Sequence, residues 1–206
     1  MEPSINILRR FIRPRPSAEL CELCGARLGA EHRHLIEPPT RRLSCACEPC
    51  AILFSHQADG RFRPIPRRAV FLPDFRLTDL QWKALMLPIE LVFFFNSSVE
   101  NRTIALYPGP GGATESRLSL EAWREIEREN PVVRTLSPDV EALLVNRVRG
   151  RREYFVAPID RCFELVGTIR AHWRGLAGGS EVWAKIDEFF DGLKKRSVRA
   201  KEVPDA

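Results

Sequence analysis

The chain has 206 residues, a net charge of +5 and 44% hydrophobic residues. That is enough apolar material for one ordinary domain with a small appended module, and it excludes a disordered composition. No apolar run reaches the roughly 20 residues a membrane-spanning helix needs, since the most apolar stretch, LMLPIELVFFF, is broken by Pro88 and Glu90.

The first residues, MEPSINILRRFIRPRP, lack an apolar segment ahead of a small-residue cleavage site. A cytoplasmic location is therefore expected, where thiols stay reduced. Residues 1–18 read as a flexible basic lead-in. Further basic clusters are Arg147, Arg149, Arg151 and Arg152, then Lys194, Lys195, Arg196, Arg199 and Lys201. Such clusters suit nucleic acid or an acidic protein. Carboxylates are interleaved through most of the chain, so solvated turns and a frayed tail are the plainer reading.

Residues 19–58 form a cysteine module. Five of the six cysteines, with two histidines between them, fall in CELCGARLGAEHRHLIEPPTRRLSCACEPC. Cys21-x-x-Cys24-Gly25 has the form of a zinc knuckle, in which two thiolates grip one ion and the small residue after them lets the turn tighten. Cys47-x-x-Cys50 is a second pair, with Pro49 stiffening its turn. Two such pairs about twenty residues apart match a four-thiolate structural zinc site. Cys45 is an alternative ligand to Cys47, and His32 and His34 rank below the thiols. Iron is the alternative metal, because a four-thiolate cage accepts it as well. A unit of about forty residues rarely folds without a staple, which is the physical reason for a metal here. The expected architecture is treble-clef or zinc-ribbon-like, with a helix near the second pair.

A knuckle, His32-x-His34 and a second cysteine pair also resemble the outline of HNH endonucleases, which would make His34 a candidate general base. The sequence departs from that pattern: Ala51 follows the last cysteine where asparagine is common, and His56 is out of place. Packing on the module is the plainer role for both histidines.

The rest of the chain, 59–196, reads as an α+β domain. The proline-rich 59–75 suggests an extended connector with an edge strand. Thr78 caps a short helix over 78–87. ELVFFFNSS and RTIALYP read as two strands of a hairpin. GPGGATES reads as a loop, because it lacks the Gly-Lys-Ser/Thr ending of a phosphate loop, and Gly-x-Ser-x-Gly is absent too. A helix runs from Ser119 to Pro131. Ser137-Pro138-Asp139 signals another over VEALLVNRV, by cap, first-turn proline and acid. REYFVAPI is a strand. The end is a helical hairpin, with Asp160 and Ser180 as caps, GLAGG as the link, and stripes that include Phe163, Trp173, Trp183 and Phe189. Residues 197–206 are expected to form a flexible tail.

Glu115, Asp139 and Glu141 form no evident carboxylate pair, and no histidine lies between residues 57 and 171. Acid–base chemistry in the larger domain would therefore have to use carboxylates, lysine or tyrosine, which argues mildly against an enzyme.

The ordered series CELCG, HRHL, CACEPCAILF, YPGPGGATES, LEAW, PDVEALLVNR, PIDRCFELVG and WRGLAGGSEVW resembles an uncharacterised bacterial family. Its members are often encoded in gene clusters of uptake nickel–iron hydrogenases. The resemblance runs from Cys21 to about Leu193 and carries no catalytic residues with it. It implies a cytoplasmic accessory role, with a hydrogenase subunit or maturation factor as protein partner. The expected function is thus a non-enzymatic metal-binding accessory protein. The alternatives are a nucleic-acid-binding zinc module and a thiolate-iron redox protein.

Overall fold

The computed structural model describes residues 19–55, 60–117, 119–175 and 177–200. The basic lead-in over 1–18, His56 and the last six residues lie outside them. Two sheets organise the α+β chain. The smaller holds β1 (Arg33–Glu37), β2 (Arg42–Ala46) and β3 (Arg63–Pro64) in the order β2-β1-β3, and α1 (Glu48–Ser55) follows β2.

The larger sheet has seven strands: β4 (Val70–Phe71), β5 (Leu91–Ser97), β6 (Arg102–Gly109), β7 (Gly112–Ser116), β8 (Glu141–Asn146), β9 (Glu153–Pro158) and β10 (Val198–Arg199). Their order is β10-β4-β9-β8-β5-β6-β7, antiparallel except where β10 joins β4. Val198 and Arg199, inside the stretch expected as a tail, thus form an edge strand.

Side-chain alternation divides this sheet between two helix layers. Phe93, Phe95, Ile104, Leu144 and Phe155 share one core with α4 (Ile159–His172) and α5 (Gly179–Arg196). Val92, Phe94, Leu143, Val145 and Tyr154 share the other with α2 (Asp79–Ala84) and α3 (Leu120–Glu129). Each fully buried phenylalanine contributes on the order of 2–3 kcal/mol of transfer free energy. The caps expected from local sequence are in place. Thr78 and Gln81 form a reciprocal capping box on α2, and Ser119 accepts the Ala122 N–H at the start of α3.

Three expectations are corrected. Residues 140–148 do not form a helix: β8 is a central strand, and its segment is buried on both sheet faces. Asp139 adopts φ +67, donates its N–H to the Asn96 carbonyl and accepts the Ser98 N–H on Oδ1. It therefore turns the chain into the sheet where a helix start was expected. GPGGATES is not a loop. Gly109 pairs with Gly112 and Tyr107 with Thr114, so Pro110-Gly111 forms the tip of the β6–β7 hairpin.

The caps of the helical hairpin also differ. Pro158 precedes α4, with Asp160 inside its first turn, and Gly178 at φ +84 precedes α5. A Cβ on Gly178 would lie 2.9 Å from Val182 Cγ1, so the sharp entry to α5 depends on glycine. Phe163, Trp173, Trp183 and Phe189 are only partly buried, around a seam made by Cys162, Leu165, Ile169, Val182, Ile186 and Phe190. No helix among the described residues is long and apolar enough to cross a membrane.

Candidate metal centre

The smaller sheet and α1 place the cysteines. Leu20 and Arg27 bridge the two arms of the knuckle, the Cys21 N–H reaches the Ala26 carbonyl and the Gly25 N–H reaches the Cys21 carbonyl. Gly25 stands at φ +74, a conformation glycine adopts without steric cost. This tight turn sets Cys21 and Cys24 side by side. The second pair comes from the end of the β1–β2 hairpin: Cys47 immediately precedes α1, and Cys50 sits in its first turn. Knuckle, hairpin and helix follow in the order of a treble clef. The helix begins at Glu48, before the second pair is complete.

Sulfur atoms of Cys21, Cys24, Cys47 and Cys50 all lie within 4.8 Å of one another. Cys24 Sγ and Cys47 Sγ are 3.6 Å apart, and all four thiols are free. A tetrahedral ion with metal–sulfur bonds of about 2.3 Å has sulfur–sulfur edges of about 3.8 Å. The four sulfurs therefore fit a single ion of that size.

Two of these thiols depart from the ordinary proton affinity in opposite directions. Burial pushes the Cys21 thiol up, but the backbone N–H groups of Cys47, Leu23 and Cys24 outweigh it and hold it at about 6. Burial and the neighbouring thiols of Cys47, Cys24 and Cys21 push Cys50 up to about 12. Cys21 is therefore the thiol that gives up its proton readily, and Cys50 one that holds it tightly. A divalent cation bound by the four sulfurs displaces such protons.

The cage is braced from outside. Glu22 Oε1 accepts the Cys45 N–H at 3.0 Å, and the Glu22 N–H reaches the Cys45 carbonyl at 2.9 Å. The Cys45 N–H, together with Arg42, holds the Glu22 carboxyl below the usual carboxylate range despite its partial burial. Arg33 grips both carboxylate oxygens of Glu48 through Nε, at 3.1 and 2.9 Å, tying β1 to the start of α1. Cys21, Leu35, Ala46 and Ala51 are the only fully buried residues of the small cluster behind the thiols, among the described residues.

Cys45 is not in this cage. It pairs with His34 across the β1–β2 ladder, and a ring nitrogen of His32, one of His34 and the Cys45 sulfur form a separate group within 4.8 Å. His34 Nδ1 lies 2.7 Å from Asp160 Oδ2, which ties this face of the hairpin to α4. Asp160 was expected only as a helix cap, and Glu22 carried no expectation. Neither contact has a signal in local sequence, because each depends on a tertiary approach. Cys162 is fully buried, and burial pushes its thiol well above the ordinary value, as suits an inert core residue.

A family match covers residues 20–197. The chain belongs to DUF5947, a family of unknown function. No curated protein and no solved structure matches it. The DUF5947 match begins one residue before Cys21 and ends one residue before β10, so both halves of the cage and all but the last strand of the larger sheet fall within the family's extent.

Proposed function

We propose that this DUF5947 protein is a non-enzymatic accessory protein whose cysteine module, stapled by zinc, presents a surface to a protein partner. The observation that carries the reading is the convergence of Cys21, Cys24, Cys47 and Cys50 on one point within a segment of very small core. An all-thiolate site has no position left for substrate, which is the pattern of a structural ion. Zinc suits it because the donors close a fold, whereas an iron centre there would serve electron transfer.

The module also exposes apolar surface beside the cage. Of six large hydrophobic side chains exposed among the described residues, Leu20, Ile52 and Leu53 lie within three positions of a cage cysteine. Exposed apolar groups gathered on one small unit favour contact with another protein. The partner proposed is a subunit or maturation factor of a nickel–iron hydrogenase, and that choice rests on the sequence resemblance alone.

Nucleic acid is the less favoured ligand, because the arginines of one basic cluster are paired with carboxylates of the same chain. Arg147 is buried and pairs with Asp79, while Arg151 meets Glu153, Asp187 and Asp191. Co-purification of the tagged chain with hydrogenase subunits or maturation factors tests the proposal. Failure to co-purify, together with normal hydrogenase maturation in a deletion strain, overturns it.

A further inference from the structure

We propose that His32, His34 and Cys45 form a second metal site, separate from the four-thiolate cage, that takes a borderline divalent transition ion such as zinc or cobalt. The β1–β2 hairpin has two faces. Leu35 and Ala46 point toward the cage. Ile36 and Leu43 pack on the larger sheet's core, and period-two alternation puts His34 and Cys45 on that second face. His32, two residues before His34, falls on the same side. The register places Cys45 directly opposite His34, so three metal-binding side chains meet on one patch.

The hydrogen bonds fix which ring nitrogens are available. His32 Nδ1 is 3.1 Å from the Gly29 carbonyl, which can only accept, so in the neutral ring the proton sits on Nδ1. His34 Nδ1 faces the Asp160 carboxylate at 2.7 Å in the same sense. Both lone pairs are then on Nε2. His32 Nε2 is buried and meets no hydrogen-bond partner among the described residues, and its side chain is only 9% exposed. Leaving a buried acceptor unpaired is costly, and a cation satisfies it.

A ring N–H held by a carbonyl or carboxylate is also the arrangement that orients metal-binding histidines. Two imidazoles and a thiolate select zinc, cobalt and their neighbours over magnesium or calcium. Simple packing accounts for the edge-on contact of the two rings at 4.8 Å. It does not account for the unpaired Nε2 or for a thiol opposite His34. Three donors leave a fourth position, and His32 and His34 border a cavity of about 320 Å³ whose wall also carries Arg67, Arg161 and Arg196. Water or a small anion from that cavity completes the coordination.

The test is titration of the reduced, metal-free full chain with cobalt(II), following visible absorption and counting bound metal. The wild-type chain is expected to take up two equivalents. His32→Ala with His34→Ala is expected to keep one, with the spectrum of a four-thiolate site. Cys24→Ser with Cys47→Ser, which leaves the cage only two thiolates, is expected to keep the other, with weaker sulfur-to-metal absorption. Asp160→Asn retains all three donors and is expected to lower affinity for the second ion by about 10–100-fold. Saturation of the wild-type chain at one equivalent overturns the proposal even if a variant fails to fold. So does a second equivalent that survives loss of both histidines.

Discussion

His34 and Asp160, 126 positions apart in the chain, meet at 2.7 Å between the smaller sheet and the first turn of α4. Asp160 also accepts the Arg161 N–H on its other oxygen, so one carboxylate serves the helix start and the hairpin together. Asp160→Ala removes the hairpin's anchor and leaves a partly buried imidazole N–H unpaired. A loss of about 1–2 kcal/mol is expected, read as a lower denaturant midpoint at unchanged slope. Asp160→Asn keeps an acceptor and should lose less. Equal midpoints for the wild type and the alanine variant would show that the contact carries no stability.

Removal of the cage metal should act locally. The cluster behind the thiols is small, whereas the larger sheet is packed on both faces by its own helices. A structural zinc contributes on the order of 10 kcal/mol of apparent binding energy, far more than that cluster can replace. Chelation is expected to expose amides of the knuckle and α1 to rapid hydrogen exchange while those of β5, β8 and β9 stay protected. Uniform protection before and after chelation would rule out a stapling ion.

What could be read from the sequence was what is local. The knuckle, the second cysteine pair, the Thr78 and Ser119 caps and the β5–β6 hairpin each depend on residues a few positions apart. The errors share a cause as well. Ser137-Pro138-Asp139 resembles a helix start, but the apolar run that follows, ALLV over 142–145, is short, and such a run fits a central strand covered on both faces as well as a helix. Only the two helix layers decide it, and they come from distant segments. The histidine patch was hidden for a related reason. His32-x-His34 is visible as an alternation, but Cys45 joins it through ladder register and Asp160 through docking of α4.

Asp139 is expected to be among the most sensitive single positions outside the metal sites. It is 2% exposed and holds φ +67. Its Oδ1 accepts the Ser98 N–H, and Arg63 Nη1 stands 2.9 Å from Oδ2 as an ion pair. Asparagine tolerates the left-handed conformation and keeps the Oδ1 acceptor. Alanine strands the Ser98 N–H, leaves Arg63 without its carboxylate and strains the backbone. Asp139→Ala should therefore cost about 2–3 kcal/mol, and Asp139→Asn clearly less. Thermal unfolding of the two variants side by side measures the order, and an asparagine variant as unstable as alanine would contradict it.

The turn of the β1–β2 hairpin is held to the larger sheet by charge. Arg41 pairs with Glu100 and Glu115, and Arg102 pairs with the same two carboxylates. The Arg102 hydrogen bond, with Arg41 adding to it, holds the Glu115 carboxyl below the usual range despite some burial. A depressed folded-state value means that its stabilisation is fully present above the usual glutamate value of about 4.3. It is lost as pH falls through the lower folded value. Glu115 is 37% exposed, and solvent screening keeps the effect below about 1 kcal/mol. Wild-type stability should fall between neutral and acidic pH more steeply than that of Glu115→Gln, and the difference should shrink in high salt. Parallel stability curves for the two proteins across that range would show that this cluster does not fasten the hairpin.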